Sequence, residues 1–163
     1  MSINVGDPAP DFTLSTLTSD GPQTVTLSSQ WKDSPVVLLF VPMAFTGVCT
    51  TELCDVTNGL GAYEELGAKV LAVSGDNPFA QQAWAEKEGI GLSLLSDYEH
   101  EAAKGYGIAY DSFLPDKNLP MGGVPKRSAF VIGKDGVVKY AEVKESPGDL
   151  PDFDAIKAAL GSL

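Results

Sequence analysis

The chain contains few of the residues that build metal sites and covalent frameworks. Its 163 residues include two cysteines, Cys49 and Cys54, and one histidine, His100. Zinc takes about four ligands from cysteine, histidine or carboxylate, so a zinc centre is not expected. A chain of this length can bury about 70% of its unfolded surface and needs no disulfide framework. No glycine loop suited to a phosphate is seen, and we expect neither a metal nor a cofactor.

Positive charge is also scarce. Eleven lysine and arginine residues stand against 22 acidic ones, giving a formal net charge of −11, and Arg127 is the single arginine. Nucleic acids and anionic membrane surfaces attract basic patches, so neither is an expected partner. The longest apolar run, at 36–41, is far shorter than the about 20 residues of a membrane-spanning helix. The N-terminal residues lack the basic and apolar regions of a signal peptide, which predicts a cytoplasmic protein.

Apolar patterning alternates between strands and helices. Strands are predicted at residues 12–14, 24–27, 36–41, 70–73, 92–95, 129–132 and 137–140. Helices are predicted at residues 49–66, after Asn77, at 100–106 and around 153–160. This order favours an α/β fold in one domain, residues 1–163, with a mixed but mostly parallel central sheet flanked by helices. The first two strands form an N-terminal hairpin.

Both cysteines lie just after the first buried strand. Pro42 breaks that strand, Gly47 permits a turn, and Cys49 stands at the expected start of a helix. Free amide donors and the positive end of the helix dipole favour an ionised sulfur there. Because His100 is the only histidine, a Cys–His pair is not expected. The alternative is a pair of inert thiols, since free cysteine is often buried.

The spacing of the cysteines favours a switch over a permanent disulfide. Residues five apart on a regular helix have Cα atoms about 8.7 Å apart, whereas a disulfide tolerates about 7 Å. Cys49 and Cys54 could therefore bond only after the helix between them unwinds. A thiol–disulfide carrier is disfavoured, because such proteins use a Cys-x2-Cys spacing that closes without unwinding.

The segment around Cys49 resembles the active-site signature of the peroxiredoxins. The motif reads Pro42-x-x-x-Thr46-x-x-Cys49, and Arg127, within KRSAFVI, matches the active-site arginine of that family. Residues 5–14 and 73–76 also look like peroxiredoxin segments. The resemblance implies a thioredoxin-like fold with an N-terminal hairpin extension. It also implies a thiol peroxidase that reduces hydrogen peroxide and alkyl hydroperoxides.

Two branches of the family match different features. The Cys-x4-Cys spacing looks like the Q-type, or bacterioferritin comigratory protein, peroxiredoxins, in which the second cysteine resolves the first. The sequence AFTGVC at 44–49 resembles the alkyl hydroperoxide reductase E group, which is usually described as one-cysteine. Cys54 is therefore either a resolving cysteine, forming an intramolecular disulfide, or non-resolving. The resemblance further implies a thioredoxin-like or glutaredoxin-like reductant and a monomer or homodimer.

The resemblance also implies roles for single side chains. Cys49 would attack the peroxide and become a sulfenic acid. Thr46 would hydrogen-bond the sulfur or the peroxide, and Arg127 would stabilise the thiolate and the leaving oxygen. Pro42 would shield the sulfenic acid from water, and Glu52 either orients its neighbours or is an exposed first-turn carboxylate. The peroxide-binding residues would be Pro42, Thr46, Cys49 and Arg127.

Two further interpretations stay open. On composition alone, an isolated arginine at a strand start, such as Arg127, is about as often a solvated surface residue as a functional one. The protein could also be a non-catalytic redox sensor, in which oxidation of Cys49 unwinds a helix for a partner. A sensor of this kind would oxidise once and stop, whereas a peroxidase turns over when a reductant is present.

Overall fold

One mixed sheet organises the chain. The computed structural model describes residues 2–163. Its strands are β1 (Thr13–Thr18), β2 (Gly21–Thr26), β3 (Val36–Phe40), β4 (Lys69–Ser74), β5 (Ser93–Ser96), β6 (Ser128–Ile132) and β7 (Val138–Val143). Its helices are α1 (Leu27–Trp31), α2 (Gly47–Asn58), α3 (Leu60–Glu65), α4 (Pro78–Glu88), α5 (Glu101–Gly105) and α6 (Phe153–Gly161). Among the described residues, no helix has the length and apolar character that crossing a membrane requires.

The seven strands lie in the order β2-β1-β5-β4-β3-β6-β7. Only the pairs β3–β4 and β4–β5 are parallel, and the other neighbouring pairs are antiparallel. The predicted mixed sheet and N-terminal hairpin extension are confirmed, but the expectation of a mostly parallel sheet was wrong. The reason is that the β1–β2 hairpin and the β6–β7 hairpin together supply more strands than the parallel centre.

Helices cover both faces of the sheet, which explains why β3 and β6 are buried along their whole length. On one face, Leu39 and Val41 of the β3 segment pack with Leu53 of α2, Trp84 of α4 and Ile156 of α6. The opposite face contains buried residues of α1, α5 and the strands, among them Leu27, Leu38, Phe40, Ala103, Tyr106 and Phe130. The helix that carries both cysteines therefore belongs to the first face.

The helix predicted at residues 49–66 is divided into two helices, whereas the helix predicted after Asn77 begins where expected. α2 begins at Gly47, two residues before the predicted start, and Gly59 (φ −98°, ψ 11°) separates it from α3. The start of α4 is as predicted: the Asn77 side chain accepts a hydrogen bond from the Ala80 amide at 2.9 Å. On this helix Trp84 is fully buried whereas Phe79 is 69% exposed, because five residues along a helix rotate a side chain by about 140°.

Candidate active site

Cys49 is the third residue of α2, at the carboxyl end of β3. Thr46 is the N-cap residue, with φ −100° and ψ 150°, and its carbonyl accepts a hydrogen bond from the Thr50 amide at 3.0 Å. Phe45, just before it, has a left-handed backbone at φ 63°, which is uncommon for a residue with a side chain. This turn places Cys49 in the first turn of α2, where amide groups lack intrahelical acceptors and the dipole favours negative charge.

The loop before Cys49 is fixed by an aspartate at the end of the neighbouring strand. Oδ2 of Asp76 accepts hydrogen bonds from the Ala44 amide and the Ser74 hydroxyl, both at 2.8 Å. Sequence reasoning noted residues 73–76 only as a resembling segment and gave Asp76 no role. The parallel pairing of β3 with β4 explains the contact, because it brings the carboxyl ends of both strands to the same edge.

Arg127 is buried beside the sulfur. Its Nη2 atom donates to Cys49 Sγ at 3.2 Å, and its Nη1 atom donates to Glu52 Oε1 at 2.7 Å. Nη2 and Nε also donate to the Pro147 carbonyl, at 2.9 and 3.3 Å. Arg127 is only 1% exposed, so the alternative of a solvated surface arginine is wrong.

The sheet register explains how a residue so distant in sequence reaches Cys49. Arg127 directly precedes β6, which pairs antiparallel with β3 so that Ser128 lies opposite Phe40. The start of β6 therefore lies beside the end of β3, from which the cysteine loop leaves. The Pro147 carbonyl comes from the segment after β7, the strand that pairs with β6 on its other side.

Glu52 and Arg127 form a buried ion pair. Glu52 is fully buried, which rules out the exposed first-turn carboxylate, and its Oε2 atom has no partner among the described residues. Burial raises the pKa of Glu52 from 4.5 to about 7, although the charge and hydrogen bond of Arg127 pull it down. Burial alone would lower the pKa of Arg127, but the charges of Cys49 and Glu52 and the hydrogen bonds to both raise it above its ordinary value.

The raised pKa of Glu52 predicts a specific pH dependence of stability. Between pH 4.5 and 7 the unfolded chain releases this proton while the folded protein retains it, so stability falls as pH rises. Compared with Glu52→Gln, the wild-type free energy of unfolding should decline by about 3 kcal/mol across this window. Denaturant unfolding of both proteins over this pH range measures the difference. Parallel curves for the two proteins would contradict a raised pKa.

A small cavity opens onto the sulfur. Its volume is about 200 Å³, and it is lined by Pro42, Thr46, Gly47, Val48, Cys49, Phe113, Leu114, Arg127, Pro147 and Gly148. The Thr46 hydroxyl donates to the Met43 carbonyl at 2.7 Å, so its oxygen can still accept a hydrogen bond from a bound molecule. Four larger cavities within residues 2–163 have no cysteine in their lining. The structure thus brings Pro42, Thr46, Cys49 and Arg127 around one space.

Cys54 lies outside this cavity. It is half-buried, and its Sγ atom donates to the Glu88 carbonyl at 3.4 Å. Burial raises the pKa of the Cys54 thiol, and the charges of Glu88 and Asp55 add to the rise. Both cysteines are free thiols on the same helix. Cys54 is therefore a weak nucleophile while α2 stays wound.

His100 does not join the site. Its ring packs between Gly75 and Gly123, where an added Cβ atom would lie 2.5 and 2.9 Å from it. Within residues 2–163, no group of three or more His, Cys, Asp or Glu side chains is arranged to hold a metal ion.

Several groups at the cavity were not predicted from the sequence. They include the Pro147 carbonyl, which accepts a hydrogen bond from Arg127, and the side chains of Val48, Phe113 and Leu114, which line the cavity. The only local signal for the first was the turn-forming Pro147-Gly148 pair after the second hairpin. Phe113 and Leu114 lie in the long connection between α5 and β6. The sequence of this connection has no periodic pattern from which its position could be predicted.

Known proteins are similar to this chain in sequence. The sequence model of the AhpC/TSA family matches residues 5–141. The curated alkyl hydroperoxide reductase E of Mycobacterium tuberculosis is 33% identical over 163 residues, 99% of this chain and 98% of that protein. Peroxiredoxin Q of Triticum aestivum is 36% identical over 138 residues, 85% of this chain and 58% of its own length.

A solved structure extends the likeness to three dimensions. The crystal structure of the peroxidoxin BcpB from Mycobacterium tuberculosis superimposes with a TM-score of 0.81 at 29% identity, covering 98% of this chain and 97% of its own. The prediction of a thioredoxin-like fold is thereby confirmed. The chain belongs to the AhpC/TSA family and is a peroxiredoxin, an oxidoreductase that acts as a peroxidase.

Proposed function

We propose that the protein reduces hydrogen peroxide and alkyl hydroperoxides through Cys49. The observation that carries this proposal is the 3.2 Å contact between Nη2 of Arg127 and Sγ of Cys49 at the wall of a small cavity. A buried guanidinium stabilises a thiolate in the ground state. It also offers fixed N–H donors to the oxygen on which charge develops as the O–O bond breaks.

The proposed step uses the side chains around the cavity. The Cys49 thiolate attacks the terminal peroxide oxygen, the O–O bond breaks, and Cys49 becomes a sulfenic acid. The departing hydroxide or alkoxide takes up a proton and leaves as water or an alcohol. Thr46 accepts a hydrogen bond from the peroxide O–H, because its own proton is held by the Met43 carbonyl. Pro42 lines the cavity beside the sulfur and limits the access of water to it.

The cavity lining supports organic peroxides as well as hydrogen peroxide. Apolar surface from Val48, Phe113 and Leu114 faces the same space as the sulfur. A volume of about 200 Å³ has room for a short alkyl group beside the peroxide oxygens. Burial of that group against these side chains contributes about 0.8 kcal/mol per CH₂. We infer that small alkyl hydroperoxides bind at least as well as hydrogen peroxide.

We further propose that Cys54 resolves the sulfenic acid. Its thiolate attacks the Cys49 sulfur, a disulfide forms, and hydroxide leaves. Because regular helix geometry keeps the two Cα atoms about 8.7 Å apart, α2 has to unwind locally first. A thioredoxin-like or glutaredoxin-like dithiol then reduces the disulfide and restores both thiols.

The second candidate is a one-cysteine peroxidase, in which an external thiol reduces the sulfenic acid of Cys49. The observation that favours it is the hydrogen bond from Cys54 Sγ to the Glu88 carbonyl, which holds Cys54 protonated and outside the cavity. The likeness to alkyl hydroperoxide reductase E supports the same candidate.

Intact mass after oxidation tests the proposal and separates the two candidates. With one equivalent of hydrogen peroxide, the wild-type mass should fall by two hydrogens, whereas Cys54→Ser should gain one oxygen. The oxidised wild type should return to its starting mass when a thioredoxin-like reductant is added, and repeated additions of peroxide should be consumed.

Each other outcome has a distinct meaning. A wild type that gains one oxygen and forms no internal disulfide would support the one-cysteine candidate. A protein that oxidises once and is not restored by any dithiol would fit the redox sensor. Unreacted Cys49 under conditions that oxidise free cysteine would rule out the proposed function.

A further inference from the structure

Three hydrogen bonds that involve side chains join one face of α2 to α4 and to the segment between α4 and β5. The bonds join Trp84 Nε1 to Thr50 Oγ1 at 2.9 Å, Cys54 Sγ to the Glu88 carbonyl at 3.4 Å, and the Gly91 amide to Thr57 Oγ1 at 3.1 Å. The α2 members are residues 50, 54 and 57, a spacing of i, i+4 and i+7 that forms a stripe along a helix. On a regular helix these three residues lie about 80–140° around the axis from Cys49. None of them lines the cavity at the sulfur, so the peroxide step does not use them.

The bond between Thr50 and Trp84 is the strongest restraint in this row. The Trp84 side chain is fully buried, and Thr50 accepts its only polar hydrogen. If the first turns of α2 unwind, Thr50 moves away from Trp84, and the buried indole N–H of Trp84 loses its hydrogen-bond acceptor. An unsatisfied buried donor disfavours the open state by about tenfold or more.

This restraint lies between the two cysteines. Thr50 directly follows Cys49, and Cys54 is itself a member of the row. A disulfide requires the Cα atoms to approach from about 8.7 Å to about 7 Å or less, so residues 49–54 have to leave the helix. That movement breaks the Thr50–Trp84 bond and releases Cys54 from the Glu88 carbonyl.

We propose that the Thr50–Trp84 hydrogen bond is a latch that sets how fast Cys54 captures the sulfenic acid of Cys49. The proposal rests on the resolving role of Cys54 given above. While the latch holds, the sulfenic acid waits in the cavity. A second peroxide can then oxidise it to a sulfinic acid, with water or an alcohol as the reduced product. Trp84 is therefore a positioning residue that divides oxidised Cys49 between disulfide and over-oxidation.

Two substitutions test the latch from opposite sides. Trp84→Phe removes the N–H donor and keeps an aromatic ring, and Thr50→Val removes the acceptor and keeps the side-chain shape. Both should speed disulfide formation by about tenfold, measured by rapid quench and mass spectrometry, and both should reduce the sulfinic acid formed in excess peroxide. The rate of the first oxidation should stay at the wild-type value.

Matched variants show whether the shared bond is responsible. Thr50→Ser keeps the hydroxyl and should retain the wild-type resolution rate, and Trp31→Phe changes the other tryptophan, which packs against the opposite core. The double variant Trp84→Phe/Thr50→Val should resolve no faster than either single variant, because both lose the same bond. Additive effects, or an accelerated Thr50→Ser, would overturn the latch.

Hydrogen exchange of the reduced protein tests the latch without peroxide chemistry. Amides of α2 should exchange about tenfold faster in Trp84→Phe than in wild type, while amides of β3 and β6 keep their protection. Uniformly faster exchange would mean general destabilisation, and unchanged exchange in α2 would mean no latch. If α2 alone opens faster but the wild type never forms a disulfide, the proposed resolving role of Cys54 fails, and with it the role of the latch in resolution.

Discussion

Cys49→Ser is expected to abolish peroxide reduction, because no other side chain in the cavity can replace the thiolate. Serine has nearly the same size, so Arg127 keeps its bonds to Glu52 and to the Pro147 carbonyl. Its hydroxyl, however, is not ionised near neutral pH and has no adjacent general base to activate it. Competition against a fast peroxide scavenger measures the second-order rate constant. We expect it to fall to the rate of free cysteine or below.

Cys54→Ser is the matched control for this result. It removes the other thiol of the same helix, whose pKa is raised and whose hydrogen is held by the Glu88 carbonyl. The first oxidation should therefore proceed at the wild-type rate. If Cys49→Ser still consumed peroxide rapidly and Cys54→Ser did not, the assignment of the attacking cysteine would be reversed.

Much of the fold could be predicted from local patterns. The apolar run at 36–41 can be accommodated only as a strand covered on both faces, and Asn77-Pro78 carries both signals of a helix start. The short helix α1 was missed, because its five residues have no capping signal and too little length for a period to show. The parallel share of the sheet was overestimated, because strand–helix alternation does not reveal how a terminal hairpin pairs.

Some site residues could likewise be predicted from their local spacing, whereas the placement of others depends on contacts between distant segments. Pro42, Thr46 and Cys49 lie within eight consecutive residues, so their spacing is visible in the sequence. The resemblance pointed to Arg127, but its burial depends on the β3–β6 register and on the loop after β7, which no local pattern encodes. The burial of Glu52 depends on Arg127 in the same way, since a carboxylate is rarely fully buried unless it is paired.

Arg127→Met is expected to lower the rate of peroxide attack by about 10²- to 10³-fold, the usual cost of losing fixed donors to developing charge. Methionine fills much of the same buried volume but supplies neither charge nor N–H groups. Arg127→Lys should recover only part of the loss, because a single ammonium cannot donate to Cys49, Glu52 and the Pro147 carbonyl in one plane. Stopped-flow fluorescence with hydrogen peroxide measures each rate.

The neighbouring Lys126 provides the control for charge alone. Its ammonium pairs with Glu145 at 3.0 Å on the surface, so Lys126→Met removes the same unit of charge without touching the cavity. Arg127→Met also leaves Glu52 buried without its partner, and the double variant Arg127→Met/Glu52→Gln removes that complication. The double variant should fold more stably than Arg127→Met and still react slowly. If Arg127→Met or the double variant reacted at a rate near wild type, the thiolate would not need the guanidinium, and the proposed mechanism would be wrong.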